Sequence, residues 1–490
     1  MKVLGLTLAF LPLLTAASPV AVSSIHNGAA PILSSANAKE IPDSYLVVFK
    51  KHVTSEAAAE HQSWVQDIHE TSQLSRKRSW FGEDVYRGLK HTFNVGGSFL
   101  GYSGHFSEDV IEQVRRNPDV DYIERDSVVH MMEAPAIENG APWGLARISH
   151  RDSLTFGTFN KYLYANDSGE GVDVYVIDTG TNIEHVDFEG RASWGQTIPE
   201  NDDDIDGNGH GTHCSGTIAG KKFGVAKKAN IYAVKVLRSN GSGTMNDVIL
   251  GVQWAAQSHT KKVKAAKQGK AKGFKGSVAN MSLGGGKSRA LDQMVNAAVE
   301  AGVHFAVAAG NDNADACSYS PAAAEKAVTV GASTLGDERA YFSNYGKCTD
   351  IFAPGLNIVS TWVGSKHAIN TISGTSMASP HIAGLLAYYL SLQPSKDSAF
   401  AVPEITPEKL KKALISIATK GALTDIPSDT PNLLAWNGGG SSNFTDIVSK
   451  GGYKVDDSED VFDNVVSKAQ EYLSERLGAI YSEIQDAIVE

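Results

Sequence analysis

Apolar residues follow one dominant rhythm along the central part of this 490-residue chain. They come as short continuous runs: VDVYVID (172–178), NIYAVKVL (230–237), SVANMSL (277–283), VHFAVAA (303–309), AVTVGA (327–332) and DIFAP (350–354). Runs of Val, Ile and Ala without apolar/polar alternation predict strands covered on both faces. Helical patterns separate them. Strand–helix alternation of this kind predicts an α/β fold with a doubly wound parallel sheet. Functional residues of such sheets lie beyond the carboxyl ends of the strands, and Asp178, Gly284 and Asn311 fall at such ends.

The flanks have different patterns. Residues 44–131 predict a small α+β unit. SYLVVF is a strand, 54–72 is helical, and Ser107 caps a second helix through Asn117 with Glu108 and Asp109 in its first turn. DVDYIE and DSVVHM follow as two short strands. Beyond the centre, GGGSS (438–442) predicts a flexible linker. A single amphipathic helix then spans 462–490, apolar at Phe462, Val466, Ala469, Leu473, Leu477, Ile480, Ile484 and Ile488. From Gly451 to Glu490 there are ten acids and three bases, a net of −7. A membrane-surface helix would want basic flanks, so this one is expected to dock on protein.

The amino terminus reads as a signal peptide, residues 1–17: Lys2, an apolar stretch from Val3 to Leu14, then small residues. The stretch is too short to span a bilayer, and no other run reaches about 18 apolar residues. The chain is expected to enter the secretory pathway, where disulfides form. With 42% hydrophobic and 20% charged residues, the composition is that of a globular protein. A net charge of −11 argues against nucleic-acid partners. Lys261–Lys275 holds seven lysines in fifteen residues and reads as a solvated insertion between a helix and a strand.

Three segments carry candidate chemistry. VIDTG ends a strand with Asp178, GNGHGTHCSGTIAG places His210 and His213 at the start of a helix, and ISGTSMASPH sets Ser376 at the opening of another. Each is modest alone. Together they supply an oxygen nucleophile, a base of near-neutral pKa and a carboxylate able to fix the base's tautomer. The chain order Asp, His, Ser is that of subtilisin.

Over residues 141–438 the sequence resembles the subtilisin-like serine proteases of the proteinase K group, nearest to fungal vacuolar proteinase B (cerevisin)-like subtilases. The resemblance rests on APWGLARISH, VIDTG, GNGHGTHCSG, SLGGG, AAGNDNADACSYSPA, FSNYG, GTSMASPH and NLLAWNG, in that order. It implies a subtilisin-like sheet with Asp178, His210 and Ser376 as catalytic residues. Asn311 and the Ser376 amide are implied as the oxyanion hole, and His213 as a packing residue. Asn240, Gly241, Ser242 and Gly243 are implied to pair with substrate as an added strand, with Ser282, Leu283 and Gly284 edging the main specificity pocket. Residues 44–131 resemble a ferredoxin-like inhibitor propeptide that blocks the site within the same chain. The expected domains are a propeptide over 18–136, a peptidase over 137–438 and a carboxyl-terminal extension over 439–490. Self-cleavage is expected between Glu133 and Asn139.

The resemblance also implies a Cys317–Cys348 disulfide. It requires no cofactor for catalysis, and allows structural calcium with Asp350 as one ligand. Cys214 is expected to be a buried neighbour of the site. Of four Asn-x-Ser/Thr sequons, Asn166 and Asn443 are expected to carry glycans, whereas Asn280 lies in a core strand and Asn240 on the substrate edge. Asp202, Asp204 and Asp206 imitate the start of an EF-hand, but His213 falls where the closing Glu is needed. The expected activity is broad endoproteolysis of proteins and peptides by a self-processing monomer. Two other classes are weighed against it: an inactive subtilase-shaped binding protein, and a metallohydrolase using His210 and His213.

Overall fold

A computed structural model describes residues 28–34, 40–76, 88–131, 142–393 and 405–452. The expected signal peptide, the exit segment after Met131 and the helix over 462–490 lie outside them. The described chain falls into two units, one holding residues up to Thr92 with Leu100–Asp126, the other Phe93–Phe99 with Ser127 onward.

Up to Met131, alternating and continuous apolar stretches give β1 (Ile32–Leu33), β2 (Glu40–Phe49), α1 (Ser55–Arg76), β3 (Gly88–Val95), β4 (Phe99–His105), α2 (Glu108–Val114) and β5 (Val120–Met131), of which the end of β3, the start of β4 and the end of β5 fall in the other unit. The βαββαβ order with sheet sequence β5-β2-β4-β3 is the ferredoxin-like arrangement. Its core joins Tyr45, Val47 and Phe49 of β2 to Val110, Ile111 and Val114 of α2. Three details differ from the sequence expectation. The segments around DVDYIE and DSVVHM are one strand. The second helix stops at Val114 rather than Asn117. Ser107 takes the cap position, but its hydroxyl makes no capping bond.

The larger unit follows the apolar runs: α3 (Trp143–Ser149), β6 (Val172–Asp178), β7 (Ala192–Thr197), α4 (His210–Ala219), β8 (Asn230–Lys235), β9 (Ser242–Thr244), α5 (Met245–Lys267), β10 (Gly276–Met281), β11 (Leu283–Gly286) and α6 (Arg289–Glu300). Then come β12 (His304–Ala308), β13 (Tyr319–Ser320), β14 (Val328–Ser333), β15 (Ile351–Pro354), β16 (Ile358–Thr361), β17 (Ile369–Ile372), α7 (Thr375–Ser391), α8 (Pro407–Ile417), β18 (Thr419–Lys420), β19 (Leu433–Leu434) and α9 (Phe444–Ser449). The main sheet runs β18-β19-β15-β14-β12-β10-β6-β8-β7 and is parallel except at β18. Val172, Val174 and Val176 of β6 face a core with α4 and α7. On the opposite face Tyr175 meets Trp254 of α5. After β6 the chain builds β8 on one side and β10 on the other, so the winding reverses at β6. That switch is where an open α/β sheet leaves a crevice. Every residue of α7 is buried, as expected of a helix that is apolar all round.

Two expectations about segments are revised. The lysine-rich stretch is only in part an insertion between helix and strand: α5 continues through Lys267, and 268–275 then lead to β10. The GGGSS segment is not a loose tether either. Asn437 donates from its backbone to the Ile148 carbonyl, and Asn437 Oδ1 accepts from the Gly439 amide. Ile447 of the following α9 is fully buried in the core with α7 and α8. The peptidase packing therefore extends past residue 438.

Ile447→Ala is expected to cost about 2–5 kcal/mol, the usual range for emptying a buried aliphatic site. Urea unfolding of the full chain in a Ser376→Ala background, which avoids self-digestion, measures it. Equal midpoints with and without the substitution would return 438–449 to the status of a linker.

Candidate active site

Asp178 is the last residue of β6, and both it and His210, the first residue of α4, are fully buried. His210 Nδ1 lies 2.8 Å from Asp178 Oδ1, which also accepts the Thr179 amide at 2.7 Å. A helix start can approach a strand end this closely because residue 211 is glycine. A Cβ there would sit 2.1 Å from the Gly180 carbonyl oxygen and 3.2 Å from Asp178 Cβ.

The first amides of α4 need acceptors, and Asp206 supplies them. Its carboxylate accepts the amides of Asn208, Gly209 and Thr212 and the Thr212 hydroxyl, at 2.6 to 3.0 Å. It also takes the Thr179 hydroxyl at 2.9 Å, and that hydroxyl accepts the Gly211 amide. Asp206 thus caps the helix rather than belonging to a calcium loop. Lys235, opposite Asp178 on β8, is buried and donates to the Thr179 carbonyl at 2.9 Å.

Ser376 is the second residue of α7, and its hydroxyl donates to the Ser282 carbonyl at 3.0 Å. Ser282 answers by donating its own hydroxyl to the Ser376 carbonyl at 2.7 Å. The expected strand 277–283 breaks at this exchange, with β10 ending at Met281 and β11 beginning at Leu283. Behind it Asn280 donates to Ser282 Oγ and accepts from Ser379 Oγ. Helices α4 and α7 pack together, and Cys214, one turn beyond His210, sets its sulfur 3.5 Å from the Ser376 carbonyl. Cys214 is buried and forms no disulfide, as expected.

Asn311 follows β12. Its Oδ1 accepts both the amide and the hydroxyl of Thr375 at 2.9 Å, which fixes the amide's orientation. Its Nδ2 is consequently a buried donor without an acceptor in the described structure. A buried polar atom left unmatched costs stability, so such a group is a pointer to a ligand.

The edges that the sequence assigned to substrate are populated by the chain itself. The end of β5, which from Ser127 belongs to the larger unit, runs antiparallel to two other strands of that unit. Val128, Val129 and His130 stand opposite Thr244, Gly243 and Ser242 of β9, while His130 and Met131 stand opposite Gly284 and Leu283 of β11. Asn240 and Gly241 do not join the ladder. Asn240 Oδ1 accepts the amide and hydroxyl of Ser242, and Gly241 turns at φ +79°, so together they shape the turn before β9.

His213 is not part of the cluster. Its Nε2 meets the Ile358 carbonyl at 2.9 Å, and burial pushes its pKa down to about 3. The pair His210/His213 therefore does not form a metal site. Cys317 and Cys348 are disulfide-bonded. Asn166 and Asn443 are exposed and Asn280 is fully buried. The expectation of calcium at Asp350 meets an obstacle: its carboxylate is engaged by the Lys411 ammonium at 2.7 Å. Asn280, Ser379, Thr375, Thr179, Asp206 and Lys235 escaped the sequence reading as members of the site. For Asn280 a signal existed, because a polar amide inside an apolar strand must find buried partners.

Comparison with known proteins agrees with this geometry. The sequence model of the subtilase family, Peptidase S8, matches residues 169–438, and that of peptidase inhibitor I9 matches 44–132. Alkaline protease 2 of Aspergillus fumigatus is 76% identical over 490 residues, covering 99% of both chains. Subtilisin-like serine protease Pen c 2 of Penicillium citrinum is 79% identical over 453 residues, 91% of this chain and 99% of the relative. The crystal structure of a cold-adapted subtilisin-like serine proteinase superposes with a TM-score of 0.53 at 45% identity, covering 61% of this chain and 99% of that one.

Gly211→Ala is expected to force α4 away from β6. Displacing a catalytic group by about 1 Å can cost about 10²-fold, so kcat/KM on a peptide substrate should fall by about that factor. Stability should fall by about 1–3 kcal/mol from overpacking. Unchanged turnover would show that contact with the Gly180 carbonyl does not position His210.

Proposed function

The chain belongs to the subtilase family, and on that premise we propose how its serine endopeptidase activity is distributed over the residues around Asp178. Ser376 is the nucleophile. Its hydroxyl exchanges the Ser282 carbonyl for His210 Nε2 and attacks the peptide carbonyl carbon as the proton passes to His210. Asp178 Oδ1 holds the proton on Nδ1 and stabilises the imidazolium that forms. The oxygen of the tetrahedral intermediate takes hydrogen bonds from Asn311 Nδ2 and the Ser376 amide, and the positive end of α7 adds to them. Collapse returns the proton from His210 to the leaving amine and leaves an acyl group on Ser376. Water repeats the sequence and frees the acid. The observation that supports this assignment is the buried 2.8 Å Asp178–His210 contact, together with the unsatisfied Asn311 donor. No cofactor is needed for it. A non-catalytic binding role is set aside, because the relatives are named as proteases.

Backbone pairing on β9 and β11 supports broad specificity, since added strands are read mainly through main-chain hydrogen bonds. The glycine-lined edges favour this, and a large apolar residue before the cut remains our expectation. The same pairing bears on processing. The described pairing of β5 with β11 runs as far as Met131 opposite Leu283, the neighbour of Ser282, whose carbonyl holds the Ser376 hydroxyl. The inhibitor family's match ends at residue 132. We therefore place self-cleavage at the Met132–Glu133 bond, just before the stretch that the sequence reading favoured. The peptidase would then begin at Glu133 and extend beyond residue 438.

The disulfide supports passage through the secretory pathway. The motifs pointed to the vacuolar proteinase B branch. The relatives are named as alkaline and subtilisin-like proteases of several fungi, so the vacuole is no longer preferred over the medium. Asn166 and Asn443 remain the proposed glycan sites.

Pure Ser376→Ala protein should stay at full precursor length, and Edman sequencing of the processed wild type should begin at Glu133. Processed Ser376→Ala would overturn self-cleavage. A wild-type start several residues downstream would overturn the register argument alone. Asn311→Ala should lower kcat about 10²–10³-fold with little change in KM, the loss seen when a subtilisin is deprived of this type of donor.

A further inference from the structure

The sequence of α8 explains how one of its side chains comes to face the sheet. Pro407 opens the helix after the Thr406 cap, and Leu410 and Leu414 are fully buried against the main core. That anchoring fixes the neighbouring Lys411 with most of its side chain out of solvent, 16% exposed. Its ammonium has three N–H donors and meets three oxygens: the Ala327 carbonyl at 2.6 Å, the Asp350 carboxylate at 2.7 Å and the Glu325 carbonyl at 2.9 Å. The same carboxylate oxygen, Oδ2, also accepts the Thr329 amide at 2.8 Å, and the Asp350 amide returns to the Thr329 carbonyl.

One carboxylate and two carbonyls converging on a point are the donor types of a hard divalent cation. Here the point is taken. Calcium, which seeks six to eight oxygens at 2.3–2.6 Å, cannot take these three without evicting the nitrogen already 2.6–2.9 Å from each of them. Nor is Asp350 available from another side at no cost, because a second cation would sit next to the ammonium with both charges poorly hydrated.

We propose that Lys411 is a built-in cation that replaces structural calcium: it ties α8 to the loop before β14 and to the start of β15, and makes this region stable without metal. The inference stands apart from the assignment of the catalytic residues and does not depend on it.

The test uses full-length protein carrying Ser376→Ala, unfolded thermally with chelator or with calcium chloride. Lys411→Met keeps the length and apolar stem and removes the charge. In chelator its Tm should fall by about 5 °C or more, because a half-buried carboxylate and two carbonyls lose their partner. Added calcium should then raise the Tm of Lys411→Met more than that of the parent. The extra gain should vanish in Lys411→Met/Asp350→Asn. A Lys411→Met protein as stable as its parent in chelator would overturn the proposal, as would a calcium effect on the parent that Asp350→Asn abolishes. If Lys411→Met does not accumulate, equilibrium binding of radioactive calcium to the parent and to Asp350→Asn decides. Equal stoichiometry supports the proposal, and a lost ion in Asp350→Asn overturns it.

Discussion

A carboxylate and an imidazole withdrawn completely from water are tolerable only if the surroundings replace what water supplied. Removing an ion from water is expensive, and nearby hydrogen-bond donors must offset it. At Asp178 the replacement is a layered set of bonds. The Thr179 amide and His210 serve one oxygen of the carboxylate. The Thr179 hydroxyl then joins Gly211 to Asp206, and the Thr179 carbonyl receives the buried Lys235 ammonium. This arrangement does two things at once. It satisfies the amino-terminal amides of α4, and it fixes the angle at which that helix leaves the strand edge. The imidazole is therefore positioned by the fold of the loop rather than by its own rotamer preference. A single glycine makes the approach possible.

The position of the site follows from the same economy of connections. The sheet reverses its winding at β6, so the ends of β6 and β10 open a crevice that no crossover covers. Asp178 ends the first strand, Ser282 follows the second, and the first residues of α7 bond to Ser282 and to Gly310 and Asn311 beyond β12. The reciprocal bonds of Ser282 and Ser376 lock a strand end to a helix start. They also interrupt the strand, so that the residues after Ser282 leave the main sheet as a separate edge, β11. The chain's own β5 uses that edge and the one at β9. His130 is paired on both sides, with Ser242 and with Gly284.

The architecture was largely legible in the sequence because strand runs without alternation have few structural explanations. The catalytic candidates were visible through three short motifs and their family resemblance. What escaped notice was the support. Asp206 falls in a stretch that imitates an EF-hand; the position of His213 set that aside, but the capping role showed only in the backbone N–H groups that point at its carboxylate. The lysine-rich tract read as an insertion because charge hides helical periodicity when one face is wholly solvated. The glycines after Asn437 read as a tether, since nothing local announces that Ile447 will be buried beyond them. In each case what decides is a backbone group or a buried core that the pattern of residue types does not display.

Lys411 shows the same limit, and also what a fixed charge offers in place of a metal. The stabilisation from a bound ion grows with its free concentration and disappears when the ion is scarce. A tethered ammonium contributes at any calcium level. Its drawback is geometric: three donors engage three oxygens, whereas calcium would gather twice as many from a wider stretch of loop. Ordering a long flexible side chain also costs up to about 2 kcal/mol of conformational entropy. Burying Leu410 and Leu414 on the same helix lessens that cost, because the lysine stem is already directed toward the sheet. The exchange suits a region whose loops are already held by strand pairing at β14 and β15 and by the Cys317–Cys348 bond. There a small, permanent cross-link suffices, and a larger coordination sphere would constrain residues that are already fixed.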